Sequence, residues 1–268
     1  MSPRIKAFLI HLGISLLILA ALLYVIVFIW YPPPFFAKDG GWQGVRLITG
    51  VDLVLGPMLT LAVYNTRKGL RKLKFDLLVI AIIQFSSLAV GCWIVADQRT
   101  ALVTFSNNRF VSMSQSQVTD SGVTEQVLAS LQDQRPPMAY VALPDDQAER
   151  ARVVMENLGG EPLFKRGDLY EPLTLENRLK IVEQGYDLSL VAKLSDELSK
   201  IVGDFFKKSG VTSERVVALP LYCRYGVLSL VLDQENGEII DTIAINHDQL
   251  IASLSKGKQP DPTSSSGN

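Results

Sequence analysis

Glutamate is absent from the first 124 residues of this 268-residue chain, and Glu125 is the first. Other scarcities exclude whole classes of function. Only two cysteines occur, Cys92 inside an apolar stretch and Cys223 far downstream, so no internal disulfide framework is available. With two histidines, His11 and His247, and no CxxC or Cys/His cluster, nothing spells a zinc site. Phosphate loop, nucleophile elbow and HExxH are all missing, and no motif calls for a cofactor. Both thiols read as buried structural groups, and His247, near Asp241 and Asp248, reads as a loop residue.

Charge is also missing where it matters most. Ala7 to Trp30 is a run of 24 residues without a formal charge, long enough to cross a bilayer as a helix. Pro32, Pro33 and Pro34 stop it. The run is too long for a typical signal-peptide core and no small-x-small cleavage site precedes the prolines, so a retained anchor is expected. Tyr24, Trp30 and Tyr31 suit an interfacial aromatic belt. Second and third spans are expected near 45–64 and 75–96, with the first near 7–30.

What is present divides the chain in two. Up to Ala96 there are nine basic and three acidic residues, a net of +6. The remainder carries 17 basic and 24 acidic residues, a net of −7, with no basic patch for nucleic acid. Arg4 and Lys6 precede the first span, and Arg67, Lys68, Arg71, Lys72 and Lys74 crowd the short connection between the second and third. Both clusters belong on the cytoplasmic side. The segment from 97 onward is therefore expected outside the cytoplasm, which in a Gram-negative inner membrane is the periplasm.

Polar residues inside the spans are the candidate functional positions. Asp52 in the second span is costly against lipid and should face protein or water. Gly56 on the same face permits a close neighbour, and Pro57 frees a carbonyl one turn back. In the third span Asp76, Ile80, Gln84, Ser87 and Gly91 form a small-and-polar seam, and His11 with Ser15 makes a shorter one in the first. The candidate helix-packing or partner-binding set is thus Asp52, Gly56, Pro57, Asp76, Gln84 and Gly91. Thr49-Gly50-Val51-Asp52 matches the GxGD motif of intramembrane aspartyl proteases only at its aspartate. A membrane enzyme or transporter working through Asp52, and a periplasmic ligand sensor, stand as alternatives.

Beyond residue 97 the patterns shorten. Strands are predicted at 101–105, 109–113 and 138–143, with helices at 124–131 and from Asp146 to Leu158, at 174–183 and at 187–207. A hairpin at 226–245 should turn on Asn236-Gly237 as left-handed residues. The expected fold is a membrane α-helical segment of three transmembrane helices followed by a soluble α+β domain over 97–255. Its sheet is expected to be mostly antiparallel, and residues 256–268 should form a disordered tail.

The block Gly50-Val51-Asp52-Leu53-Val54-Leu55-Gly56-Pro57 with Thr60 resembles the type IV pilin accessory proteins, small inner-membrane proteins often encoded beside a major pilin. Asp76-Leu77, Gln84 and the Arg99 to Phe110 stretch continue the likeness. Where that family tends to carry Val-Phe-x-x-Asp-Arg-Phe, this chain has Thr104-Phe105-Ser106-Asn107-Asn108-Arg109-Phe110, with Asn108 in place of the aspartate. The resemblance implies a non-enzymatic accessory role in pilus assembly. It names a cognate type IV pilin as partner, with the lipid bilayer and other pilus assembly proteins around it.

Overall fold

The computed structural model describes residues 2–64, 69–131, 135–245 and 250. Arg67 and Lys68 of the basic connection, His247, Asp248 and the expected tail 256–268 lie outside them. The chain divides into a helical unit that ends at Thr100 and includes Ser114–Ser116, and a sheet unit made of the remaining described residues.

Three helical rods in the first unit are long and apolar enough to cross a membrane, Pro3–Trp30, Gly41–Val63 and Arg71–Asp97. This suggests membrane association. Helix α1 (Pro3–Val25) starts four residues earlier than expected, because the Ser2 hydroxyl caps the amide of Ile5 and Pro3 fits the first turn. It widens into a π turn over Ile26–Trp30 before the prolines end it. A short helix α2 (Phe35–Lys38) follows. Tyr31 is no belt residue: it is 1% exposed, and its hydroxyl donates to the Val95 carbonyl at 3.0 Å.

The second rod is three pieces in line: α3 (Gly41–Thr49), a π segment (Gly50–Leu55) and α4 (Gly56–Val63). Helix α5 (Leu70–Asp97) completes the unit. Leu19, Ile26, Tyr31, Ile48 and Val95 form its buried core.

The sheet unit holds seven strands: β1 (Thr100–Ser106), β2 (Arg109–Ser114), β3 (Met138–Val141), β4 (Tyr170–Pro172), β5 (Val216–Cys223), β6 (Gly226–Asp233) and β7 (Ile239–Ile243). Their order is β4-β3-β1-β2-β5-β6-β7. The sheet is mixed, which corrects the expectation of a mostly antiparallel one. β1 runs parallel to β3 and β2 parallel to β5, whereas β3–β4, β5–β6 and β6–β7 are antiparallel. Hairpin signals are local and legible in sequence, but parallel neighbours are far apart along the chain and leave no turn signature.

Alternation along the register places two cores on one face. Leu102, Met113, Ala139, Val141 and Tyr170 pack beneath α6 (Gln115–Asp120), α7 (Glu125–Ser130) and α8 (Gln147–Leu158). Val216, Ala218, Val231 and Ile243 pack beneath α10 (Leu188–Val191) and α11 (Asp196–Ser209). The expected single helix over 187–207 is broken because Ser195 accepts from the amide of Leu198 and restarts the winding. On the opposite face lies α9 (Leu175–Val182), closed by Gly185 against Val217.

Two turns decide the hairpins. Asn107 and Asn108 both have positive φ, 51° and 60°, which suits a two-residue link between β1 and β2. In the β6–β7 turn only Gly237 is left-handed, at φ 65°, and an added Cβ there would meet Arg178 at 2.6 Å. Asn236 is not left-handed as expected. Its side chain accepts from the amide of Glu238 instead.

Candidate functional site

The polar residues of the three membrane-length rods converge. Asp52 sits in the π segment and is 1% exposed. In the wide-turn register a carbonyl looks five residues ahead, and for Asp52 that residue is Pro57, which has no N–H to give. Side chains from both neighbouring rods supply the donors. Ser15 Oγ of α1 reaches the Asp52 carbonyl at 3.0 Å, and Gln84 Nε2 of α5 reaches it at 3.3 Å. The same two groups donate to the carboxyl Oδ1, at 3.3 and 2.6 Å, while Oδ2 is buried without a hydrogen-bond partner.

Gly56 makes the Gln84 contact possible. A Cβ there would overlap the Gln84 amide, so α5 can lay that side chain against α4 only where α4 has none. One turn on, Thr60 Oγ1 donates to the Gly56 carbonyl at 3.2 Å and stands 2.5 Å from His11 Nδ1. The tautomer of His11 sets which partner of this contact donates: with the hydroxyl proton on Gly56, Nδ1 donates and Nε2 is left to accept.

Of the candidate positions, then, Asp52, Gly56, Pro57 and Gln84 come together. Pro57 is buried beside them. Gly91 lies two turns from Gln84, where an added Cβ would stand 3.2 Å from Leu47 Cδ2, so it serves packing of α5 on α3. Asp76 lies two turns the other way, half-buried, and none of the hydrogen bonds to Asp52 comes from it. His11, Ser15 and Thr60 stood outside the candidate set, although the i, i+4 spacing of His11 and Ser15 in an apolar run was their signal.

Beside this cluster, α1, α4 and α5 leave an open groove of about 590 Å³. Ile10, Ile14, Leu77 and Ile80 give it apolar walls, and His11, Thr60 and Gln84 supply its polar spots, with Lys6 at one end. Among the described residues nothing donates to His11 Nε2 or to Gln84 Oε1. Groups of three or more metal-ligating side chains do not occur among the described residues.

A family model described as fimbrial assembly protein FimB matches residues 1–38. A fimbrial assembly protein of serogroups C1 and C2 from Dichelobacter nodosus is 34% identical over 96 residues, which cover 36% of this chain and 73% of that protein. The chain belongs to the fimbrial assembly protein family. The serogroup I protein of the same organism is 32% identical over 109 residues, 41% of this chain and 42% of the relative. That of serogroup E1 is 33% identical over 96 residues, 36% and 37% of the two chains. The chain thus spans less than half the length of two of these fimbrial assembly relatives. No solved structure matches it.

Proposed function

We propose that this fimbrial assembly protein is a non-enzymatic accessory of type IV pilus biogenesis. It is anchored in the inner membrane with its sheet unit in the periplasm, and it holds the hydrophobic segment of a cognate pilin. Membership of the fimbrial assembly family supports the process, and the basic clusters support the orientation. The observation that carries the contact is the groove. Two polar groups, the outer ring nitrogen of His11 and Gln84 Oε1, stand in a wall of apolar side chains. In hydrocarbon no water satisfies them, so a bound helix that brings hydroxyl or amide donors gains where an acyl chain does not. Asp52 takes a different part. Its donors come from its own chain, so it fixes the wall of the groove rather than meeting the partner.

The test is made in the parent bacterium. Deleting the gene should reduce surface pili, in a retraction-defective background as well as the normal one. A photo-reactive residue at Ile14 or Ala81 in the groove should capture pilin, and one at Phe28, outside it, should not. Unchanged piliation with no pilin captured at either groove position would overturn the reading.

A further inference from the structure

A second site stands in the sheet unit. Strands β1 and β3 lie side by side and parallel, but the chain leaves their carboxyl ends in opposite directions, from β1 toward β2 and from β3 toward β4. The turn after β1 and the loop after β3 leave a crevice between them. Here the crevice is a cleft of about 950 Å³. It runs between the turn after β1, the loop after β3, and α9 on the face that this one short helix covers only in part.

The floor is aromatic. Register sets Phe105, Tyr140 and Glu171 in a row across three strands, and the Tyr140 ring stacks on Phe105 with centroids 6.1 Å apart and planes 13° apart. Tyr140 remains half-exposed. Around the floor the cations are engaged. Lys180 is paired with Glu176 at 2.7 Å, and Arg150 Nε donates to the Pro144 carbonyl. The acids are less so. Glu171 accepts from Asn177 Nδ2 on one oxygen only, and Asp145 has no partner among the described residues. A part-exposed ring beside Glu171, in a cleft that Asp145 also lines, is complementary to an ammonium or guanidinium group, through cation–π and ionic contact together.

We infer that this cleft binds an extended segment of a partner protein through a lysine or arginine side chain laid on Tyr140 beside Glu171, with Asp145 of the loop after β3 as the second acid. A volume of about 950 Å³ is more than a lone amine fills, and Arg150, engaged only through Nε, lines the cleft with its terminal nitrogens left to meet a main-chain carbonyl. This site is independent of the membrane groove.

The test titrates the full chain in lipid nanodiscs with three probes: a neutral, end-blocked heptapeptide with a central lysine, the same peptide with norleucine, and 1,5-diaminopentane. The lysine peptide is expected to bind at least about five-fold tighter than either other probe, the scale of one partly exposed cation–π and ionic contact. Asp145→Asn with Glu171→Gln, which keeps the Asn177 hydrogen bond, should abolish that preference, and Tyr140→Leu should weaken it. Equal binding of the norleucine peptide, equal binding of the diamine, or a preference that survives the double variant would each overturn the proposal. So would the absence of lysine-peptide binding up to millimolar concentration, provided the thermal unfolding of the chain is normal.

Discussion

Asp52 in the helical unit and Asp233 in the sheet unit are both buried, at 1% and 5% exposure, and are held by different chemistry. Asp52 has neutral donors, a serine hydroxyl and a glutamine amide from two other helices, and one oxygen with none. Asp233 has the Arg215 guanidinium at 2.9 Å and the amide of Glu235 at 2.8 Å. The amide first, and then Arg215, holds its carboxyl below the usual range. Between membrane helices a polar group is met by side chains across the interface, since the backbone is committed within each rod. At the rim of a water-exposed sheet, a turn backbone and a cation flanking solvent suffice. The Arg166 clamp repeats the second pattern, with Glu156 at 2.5 Å and Asp168 at 2.8 Å, which holds the Asp168 carboxyl below its usual range.

The sharpest break of this comparison is Gly56→Leu. The new side chain displaces Gln84 and strips Asp52 of its closest donor, so overpacking of about 1–3 kcal/mol adds to a lost buried hydrogen bond. Folded protein recovered from membranes should fall to a small fraction of wild type. Next comes Asp52→Ala, expected to lower stability in detergent by about 1–2 kcal/mol. Asp52→Asn retains an oxygen for Gln84 and should recover most of that loss. If Asn and Ala were equally damaging, the carboxyl would be doing more than accepting those bonds.

In the sheet unit Gly237→Ala combines a left-handed φ with the Arg178 contact, and should cost about 1–2 kcal/mol in urea unfolding of that unit. The smallest effect is a pH dependence. Since the folded Asp233 carboxyl titrates below its unfolded value near 3.9, its contribution is complete above about pH 4–5 and fades as pH falls through the folded value. The protection of the Glu235 and Gly237 amides against hydrogen exchange, relative to their intrinsic rates at each pH, should therefore fall in acid. Asp233→Asn should flatten that response while leaving the exchange of β1 unchanged.

Much of this was legible because it is local. The uncharged run from Ala7, the proline stop, the cap at Asp146 and the Asn107-Asn108 turn each follow from a few adjacent residues. So did the singling out of Asp52, Gly56 and Gln84, since a charge, a gap and an amide are conspicuous in apolar spans. Their mutual arrangement was not legible, because rotation of one rod against another leaves no periodic trace. The wide turn at Gly50–Leu55 illustrates this. Pro57 announced that a carbonyl would lose its partner, but not that Ser15 and Gln84 would replace it. Tyr31 looked interfacial by composition and became core, with its hydroxyl on the Val95 carbonyl of a helix 64 residues away in the chain.

Sequence by itself determined that three apolar segments precede an acidic domain, which residues in those segments are polar, and where the hairpins turn. These depend on transfer of side chains from water and on the conformations open to proline, glycine and asparagine. Only the tertiary structure decided that the sheet is mixed, that Ser15 and Gln84 supply the donors to Asp52, and that His11 and Gln84 line one groove. It also set Phe105, Tyr140 and Glu171 in one row across three strands. Those facts depend on long-range register and on which faces of separate elements meet, and no pattern of neighbouring residues encodes either.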